Sequence, residues 1–249
     1  MNTKTVGWFS GGVSSFIAIY LMRHEIDEVF FIDIDDHHQD TYRFIRDCEK
    51  ALGKPIQFLR HEKYKSVKDV IEKFKYINGP RGAKCTGELK KKVRQDWEKQ
   101  QHDTDLFRYI WGYDFKEKHR AERLLQINPE YEHVFPLIDK ELSKQEVHGV
   151  LQQLGIARPA MYDLGYSNNN CIGCVKGGKG YWNKIRVDFP HKFKLMAMLE
   201  RKIGASCING VFLDELDSNA GRMEKEIMPD CGMLCELSYL EPETLKVTS

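Results

Sequence analysis

The 249-residue chain is 41% hydrophobic and 30% charged, which allows one large α/β domain, or a domain with an appendage, beneath a soluble surface. A formal net charge of +1 excludes a global field that draws the protein onto nucleic acid or a membrane, so anion binding has to come from local patches. The early apolar stretch Val6-Gly-Trp-Phe9 is far too short for a signal sequence or a membrane span, and a cytoplasmic location is expected. In that reducing compartment the seven cysteines point to metal ligation or thiol chemistry, and their odd number argues against a closed disulfide framework.

Taken in order, residues 6–9 read as a short buried strand, broken by Ser10-Gly-Gly12, and residues 16–22 as a helix. Residues 28–34 (EVFFIDI) form a second buried strand, followed by a helix over 40–52. The turn signal Gly53-Lys-Pro55 precedes a third strand at 56–59. Helices are expected over 66–74 and 88–99, a strand over 106–111 closed by Gly112, and a charged helix over 116–127. This alternation predicts an α/β fold, a parallel sheet with helices on both faces. After Pro136 the character changes: a helix over 143–154, a loop-like stretch over 159–179 with two cysteines, a last helix over 191–203, and a tail with Cys231 and Cys235. A nucleotide-binding domain over 1–160 and a cysteine-bearing C-terminal extension over 161–249 follow from that change.

Ser10-Gly-Gly-Val-Ser-Ser15 lies between a buried strand and an amphipathic helix. Glycines let backbone N–H groups approach an anion, the helix N-terminus adds its positive end, and the Ser10 and Ser15 hydroxyls can donate further hydrogen bonds. In an α/β sheet the first strand-to-helix crossing is where a ligand crevice is expected. A plain serine-capped turn is the bland alternative, and the placement argues against it.

This segment resembles the PP-loop of ATP pyrophosphatases and sulfonucleotide reductases, usually Ser-Gly-Gly-x-Asp-Ser, with Ser14 at the Asp position. The family's Asp helps hold magnesium and pyrophosphate, so its replacement weakens the case for ATP cleavage and leaves nucleotide binding intact. Other segments resemble the phosphoadenosine-phosphosulfate (PAPS) reductase family. In Asp-Ile-Asp-Asp-His-His-Gln-Asp-Thr-Tyr-Arg-Phe44 the resemblance implies that Asp35 lines the nucleotide pocket, ahead of a metal site using the neighbouring acids and histidines. Gly112 and Arg120, in Trp111-Gly-Tyr-Asp-Phe-Lys-Glu-Lys-His-Arg120, match a strand-Gly followed by an arginine-bearing helix, and a guanidinium suits phosphate or sulfate oxygens. For Arg120 the competing reading is a solvated charged helix with Glu117 and Glu122 as partners. The most specific match runs from Phe135-Pro-Leu through Met161-Tyr-Asp-Leu-Gly-Tyr166 to Cys171. The resemblance implies a Rossmann-like PP-loop fold that binds ATP or a related adenine nucleotide.

Cys171-Ile-Gly-Cys174 has the spacing that lets two thiolates reach one metal or cluster; a redox pair is second choice because it stands in a loop. Cys85 falls where relatives place a cluster or reactive cysteine, with Thr86 where iron–sulfur reductases of the family carry a second cysteine. Cys85, Cys171 and Cys174 are thus candidate ligands of a four-iron cluster with one open iron, as in tRNA thiolation enzymes, or with Cys235 or Cys231 closing it. Zinc is the alternative. Asp230-Cys-Gly-Met-Leu-Cys235 loosely resembles the Glu-Cys-Gly-x-His tail of sulfonucleotide reductases, which makes Cys231 the first choice of nucleophile. Cys48 and Cys207 read as small buried hydrophobes. The run Lys176-Gly-Gly-Lys-Gly-Tyr-Trp-Asn-Lys-Ile-Arg186 suits a nucleic-acid backbone and a stacked base, or a solvated surface.

Two classes of function follow. One is enzymatic sulfur chemistry, leaning toward ATP-dependent sulfur transfer to a nucleotide, RNA or DNA, with thioredoxin-dependent sulfonucleotide reduction through Cys231 as the alternative. Cys85, Cys231 and Arg120 are then the catalytic candidates, served by a sulfur or electron donor protein. The other class is a nucleotide- or nucleic-acid-binding module without turnover.

Overall fold

The structure, a computed structural model, describes residues 3–79, 82–101 and 106–225. Five strands, β1 (Thr3–Phe9), β2 (Glu28–Ile32), β3 (Ile56–Leu59), β4 (Leu106–Ile110) and β5 (Glu132–Val134), pair in the order β3-β2-β1-β4-β5, all parallel. Near-continuous apolar runs in β1 and β2 are what a sheet covered on both faces demands. The order reverses between β1 and β4. That is the switch point outside whose strand ends an open α/β sheet binds its ligand.

Alternation along the strands separates two packing layers. Phe9, Val29, Phe31 and Ile110 join α1 (Val13–Leu21) and α2 (Asp40–Leu52) in an aliphatic and phenylalanine core. Trp8 and Phe30, their sequence neighbours, point the other way; Trp97 of α5 (Val93–Glu98) packs against both at 5.5 and 4.8 Å between ring centroids. Helices therefore cover both faces.

Between β3 and α5 lie α3 (Val67–Phe74) and α4 (Lys84–Thr86), the latter running into a π-helical turn at Gly87–Lys92. Beyond β4 come α6 (Lys118–Ile127), α7 (Pro136–Asp139), α8 (Lys144–Gln153), α9 (Ala160–Asp163), α10 (Lys179–Asp188) and α11 (Pro190–Ile203). Local chemistry fixes several ends. Ser66 with Asp69 and Ser143 with Glu146 form capping boxes at the starts of α3 and α8, where each serine accepts the N3 N–H.

The described residues divide into two compact units: one of residues 3–33, 37–60, 93–101 and 106–169, the other of 34–36, 61–79, 82–92 and 170–225. Within the second unit, Asn78 Nδ2 donates to the Val175 carbonyl at 3.4 Å, and Lys202 pairs with Glu72 at 2.6 Å. α10 corrects one expectation. The Lys176–Arg186 run is helical over most of its length, with Trp182 fully buried and Tyr181 nearly so. Neither ring is available to stack on a base. Among the described residues no helix is long and apolar enough to cross a membrane.

Candidate nucleotide loop and cysteine-lined void

The first unit builds the loop at the switch point. β1 delivers residues 10–12 directly into α1, whose N-cap is Gly12 and whose first turn carries no acidic residue. The loop's hydroxyls close on one another: Ser15 Oγ donates to the Gly12 carbonyl at 3.0 Å, accepts the Ser10 N–H at 3.1 Å, and lies 2.8 Å from Ser10 Oγ. Ser10 and Ser15 thus shape the loop as well as line it. Gly11 has φ +83°, a left-handed conformation costly for any residue with a Cβ, and one built there would approach Thr41 and Phe31 at 3.1 and 3.2 Å. Ser14, in the first turn of α1, is buried.

Gly112, the second residue after β4, completes the frame. A Cβ on it would stand 2.5 Å from Ser15 Cα and 2.6 Å from Ser15 N, so only glycine lets the two strand exits approach. Asn169, not singled out in the sequence, holds the loop together with Thr41 and Tyr162 from the matched segments. Asn169 Nδ2 donates to the Gly11 carbonyl at 2.8 Å and to Thr41 Oγ1 at 3.0 Å. Asn169 is 4% exposed, and its Oδ1 has no hydrogen-bond partner among the described residues. Tyr162 Oη accepts the Val13 N–H at 3.3 Å. The run Asn168-Asn-Asn170 ahead of Cys171 is the sequence signal that was open to notice.

Arg120 lies in the same unit, on α6, bonded to Glu117 and 4.5 Å from the centre of the Tyr113 ring. The Glu117 partner expected for a helix-surface arginine is thus present. Asp35 belongs to the second unit and is exposed, its N–H donating to the Lys65 carbonyl. The buried acid is its neighbour. Asp36, 3% exposed, accepts the Val67 N–H at 2.6 Å and pairs with Lys192, and its carbonyl accepts the Ile172 N–H at 2.8 Å. His37 packs on Phe31 at 5.0 Å, and His38 Nδ1 accepts the Asp40 N–H at the start of α2.

The second unit gathers the thiols. Cys85, Cys171 and Cys174 line one small, partly open cavity of about 20 Å³, together with Lys90 and Lys176. Local structure explains the gathering. Tyr181 Oη accepts the Cys174 N–H at 2.8 Å and donates to the Cys171 carbonyl at 3.3 Å, clamping the CxxC loop onto α10. Asp36 holds the adjacent Ile172. Cys85 and Lys90 come from α4 and the π-helical turn, a rare geometry frequent at functional sites.

Among the described residues no three His, Cys, Asp or Glu side chains are gathered tightly enough to hold a metal ion as they stand. The three thiols share the wall of one cavity, the donor type that a cluster or zinc would use. Magnesium is less well served, because the loop helix offers no acidic residue in its first turn. Cys231 and Cys235 lie outside the described residues. Cys48 is fully buried in the first unit's core, where burial pushes its thiol well up.

No curated protein sequence matches this chain. Thirteen chains of solved structures do. One is the crystal structure of phosphoadenylyl-sulfate (PAPS) reductase from Candida auris in a phosphate complex, at 13% identity and a TM-score of 0.47, covering 69% of this chain and 81% of that one. The model of the phosphoadenosine phosphosulfate reductase domain matches residues 4–177, well over half of the chain, and the protein belongs to that family.

Proposed function

We propose that the chain is an adenine-nucleotide-binding enzyme that reduces a sulfonucleotide. Its phosphates rest on residues 10–15, with Gly112 completing the cradle and Arg120 serving an anionic oxygen. One observation carries the choice of reaction: the α1 N-terminus holds its positive end and N–H groups without an acid in the first turn. Such a loop favours binding the nucleotide as an anion and lacks the carboxylate that magnesium-assisted ATP cleavage uses.

Cys231 is the proposed nucleophile. Its thiolate attacks the sulfonate sulfur, an S–S bond forms, and the S–O bond to phosphate breaks, so the adenine nucleotide leaves with that oxygen. A thioredoxin-type dithiol then attacks Sγ of the S-sulfonated cysteine. Sulfite leaves, the second thiol resolves the mixed disulfide, and the dithiol ends two electrons poorer. Cys85, Cys171 and Cys174 are the proposed holders of an iron–sulfur cluster, which supplies a redox-active or Lewis-acidic metal centre when bound.

A second reading, ATP-dependent sulfur transfer to a nucleotide or nucleic acid, draws on the same three thiols. Three ligands on a four-iron cluster leave one iron for an exogenous sulfur. Side-by-side anaerobic assays separate the two. Sulfite and free nucleotide from a sulfonucleotide plus dithiol, abolished in Cys231→Ser, are expected. Pyrophosphate released from ATP with sulfide and acceptor would select transfer. Nucleotide binding with no turnover in either assay would leave the binding-module reading.

A further inference from the structure

We infer that α8 and the turn after it form a second small-molecule site, one that takes a small organic carboxylate. The inference stands apart from the nucleotide and thiol readings. An open cavity of about 510 Å³ lies along α8, lined by Gln145, His148, Gly149 and Gln152 of the helix and by Ala157 and Arg158 of the turn. That volume falls in the range of small-ligand pockets. All six residues belong to the first unit, and none of residues 10–15 lines the cavity.

Gly149 stands in the interior of α8, where glycine is less favourable than alanine. A Cβ built on it meets no atom within 4 Å, so no packing in the fold excludes a side chain there. Gln145, Gly149 and Gln152 follow one another at helical spacing on one face. The glycine leaves helix backbone open between the two glutamines, where a ligand can approach closely.

The other wall is held in place before any ligand arrives. Arg43 of α2, paired with Asp40 at 2.7 Å and Asp47 at 3.0 Å, donates to the Ala157 and Arg158 carbonyls at 2.8 and 3.0 Å. Asp40 in turn accepts the Ala160 N–H at 2.8 Å.

The chemistry of the lining selects the ligand. His148 is half-buried, its ring edge-on to Tyr162 at 4.9 Å, and neither ring nitrogen makes a hydrogen bond among the described residues. Burial, then the charges of Lys144 and Arg158, hold it below the ordinary histidine value, so the neutral ring offers one donor and one acceptor. Gln145 and Gln152 add two carboxamides. Arg158 has the planar fork that suits a carboxylate and already grips one at the surface, Asp163 at 2.6 Å. An exposed pair of that kind contributes little and exchanges readily for a carboxylate of the ligand. Lys144, the other nearby cation, is turned to Asn168 Oδ1 at 2.6 Å. One cation is thus left for one carboxylate, with the amides and the imidazole for a polar body beside it.

The test uses the full chain and three probes, glutarate, citrate and glutamine, with inorganic phosphate as the contrast. Titration calorimetry and the nitrogen-15 shifts of the His148 ring, identified through His148→Phe, read binding. At least one of the three carboxylates is expected to bind saturably and to move those shifts, and phosphate is not. Arg158→Gln should weaken that binding at least about tenfold. Gly149→Leu, which fills the cavity, should abolish it. Gly149→Ala should raise Tm by about 2–4 °C, as filling an interior helix glycine does where space is open. Should Gly149→Leu not fold, Arg158→Gln decides, since Arg158 lies at the surface. Three results overturn the assignment: no saturable binding of any of the three carboxylates, binding undiminished in Arg158→Gln, or phosphate bound as tightly. A lowered Tm in Gly149→Ala would give the glycine a packing role and remove the open helix face on which the site depends.

Discussion

In the proposed nucleotide loop at residues 10–15, side chains serve to fix the backbone. Ser15 closes the turn, Asn169 ties down the Gly11 carbonyl, and Gly112 gives way so that β4 can approach. In the second unit the proposed ligands are side-chain sulfurs, and the backbone brings distant segments to one wall. Cys85 arrives on α4, just ahead of the π-helical turn, and the CxxC loop is clamped by Tyr181. A backbone site fails when a side chain intrudes. A side-chain site fails when one ligand is removed. The two should break independently.

The largest effect expected is at Gly112. Gly112→Ala puts a Cβ against immovable Ser15 backbone and should cost about 1–3 kcal/mol of stability in denaturant titration. Nucleotide affinity, measured by equilibrium dialysis, should drop at least about tenfold, or roughly 1.4 kcal/mol. Iron content should stay at the wild-type level. Cys171→Ala should do the reverse, losing iron while keeping nucleotide affinity. Loss of both properties in either variant would erase the distinction between the regions.

Asn169→Leu comes next. It leaves the Gly11 carbonyl without its donor, and a buried polar group stripped of its partner costs about 1–3 kcal/mol. Weaker nucleotide binding by titration is the expected companion, and unchanged binding would show that the loop holds its shape unaided.

A smaller effect concerns acid. His133 accepts the Trp111 Nε1–H on Nδ1 at 2.9 Å and lies 2.8 Å from the Asn128 carbonyl through Nε2, which fixes a neutral ring. Burial holds its pKa below the ordinary histidine value, against a smaller opposing effect of the Asn128 carbonyl. The unfolded chain therefore binds the proton more readily. Stability present at neutral pH is lost as pH falls from the ordinary histidine value through the folded one. His133→Phe should flatten the loss between about pH 7 and pH 5 while lowering stability at neutrality by about 1–3 kcal/mol, because Trp111 loses its acceptor. His148, also lowered by burial, keeps part of the slope. Smallest is Tyr162→Phe, which removes one neutral acceptor from Val13 and should cost about 0.5–1.5 kcal/mol.

Where periodicity, caps and glycines agree, the sequence is readable: α2 and β3 fall on the residues that the pattern indicates, and the loop lies where strand and helix meet. β5 was hidden because Glu132-His-Val134 has neither length nor an apolar run; its pairing with β4 and the Arg108–Glu132 ion pair at 2.9 Å make it a strand. α10 was hidden by glycines and lysines that suggest a loop, although Tyr181, Trp182 and Ile185 bury one face of it. In the site, the ligand spacing of the CxxC is local and legible. The meeting of that loop with Cys85 and Lys90 is not, because they come from a segment more than 80 positions earlier in the chain.

The proposal of a nucleotide loop in one unit and a thiolate-bound cluster in the other is tested most directly by metal analysis. The chain is purified anaerobically as wild type and as Cys174→Ser, and its absorption spectrum, iron, sulfide and zinc are measured. The account predicts about four irons per wild-type chain with matching sulfide, lost in the variant. Stoichiometric zinc, or no metal at all in the wild type, would contradict it.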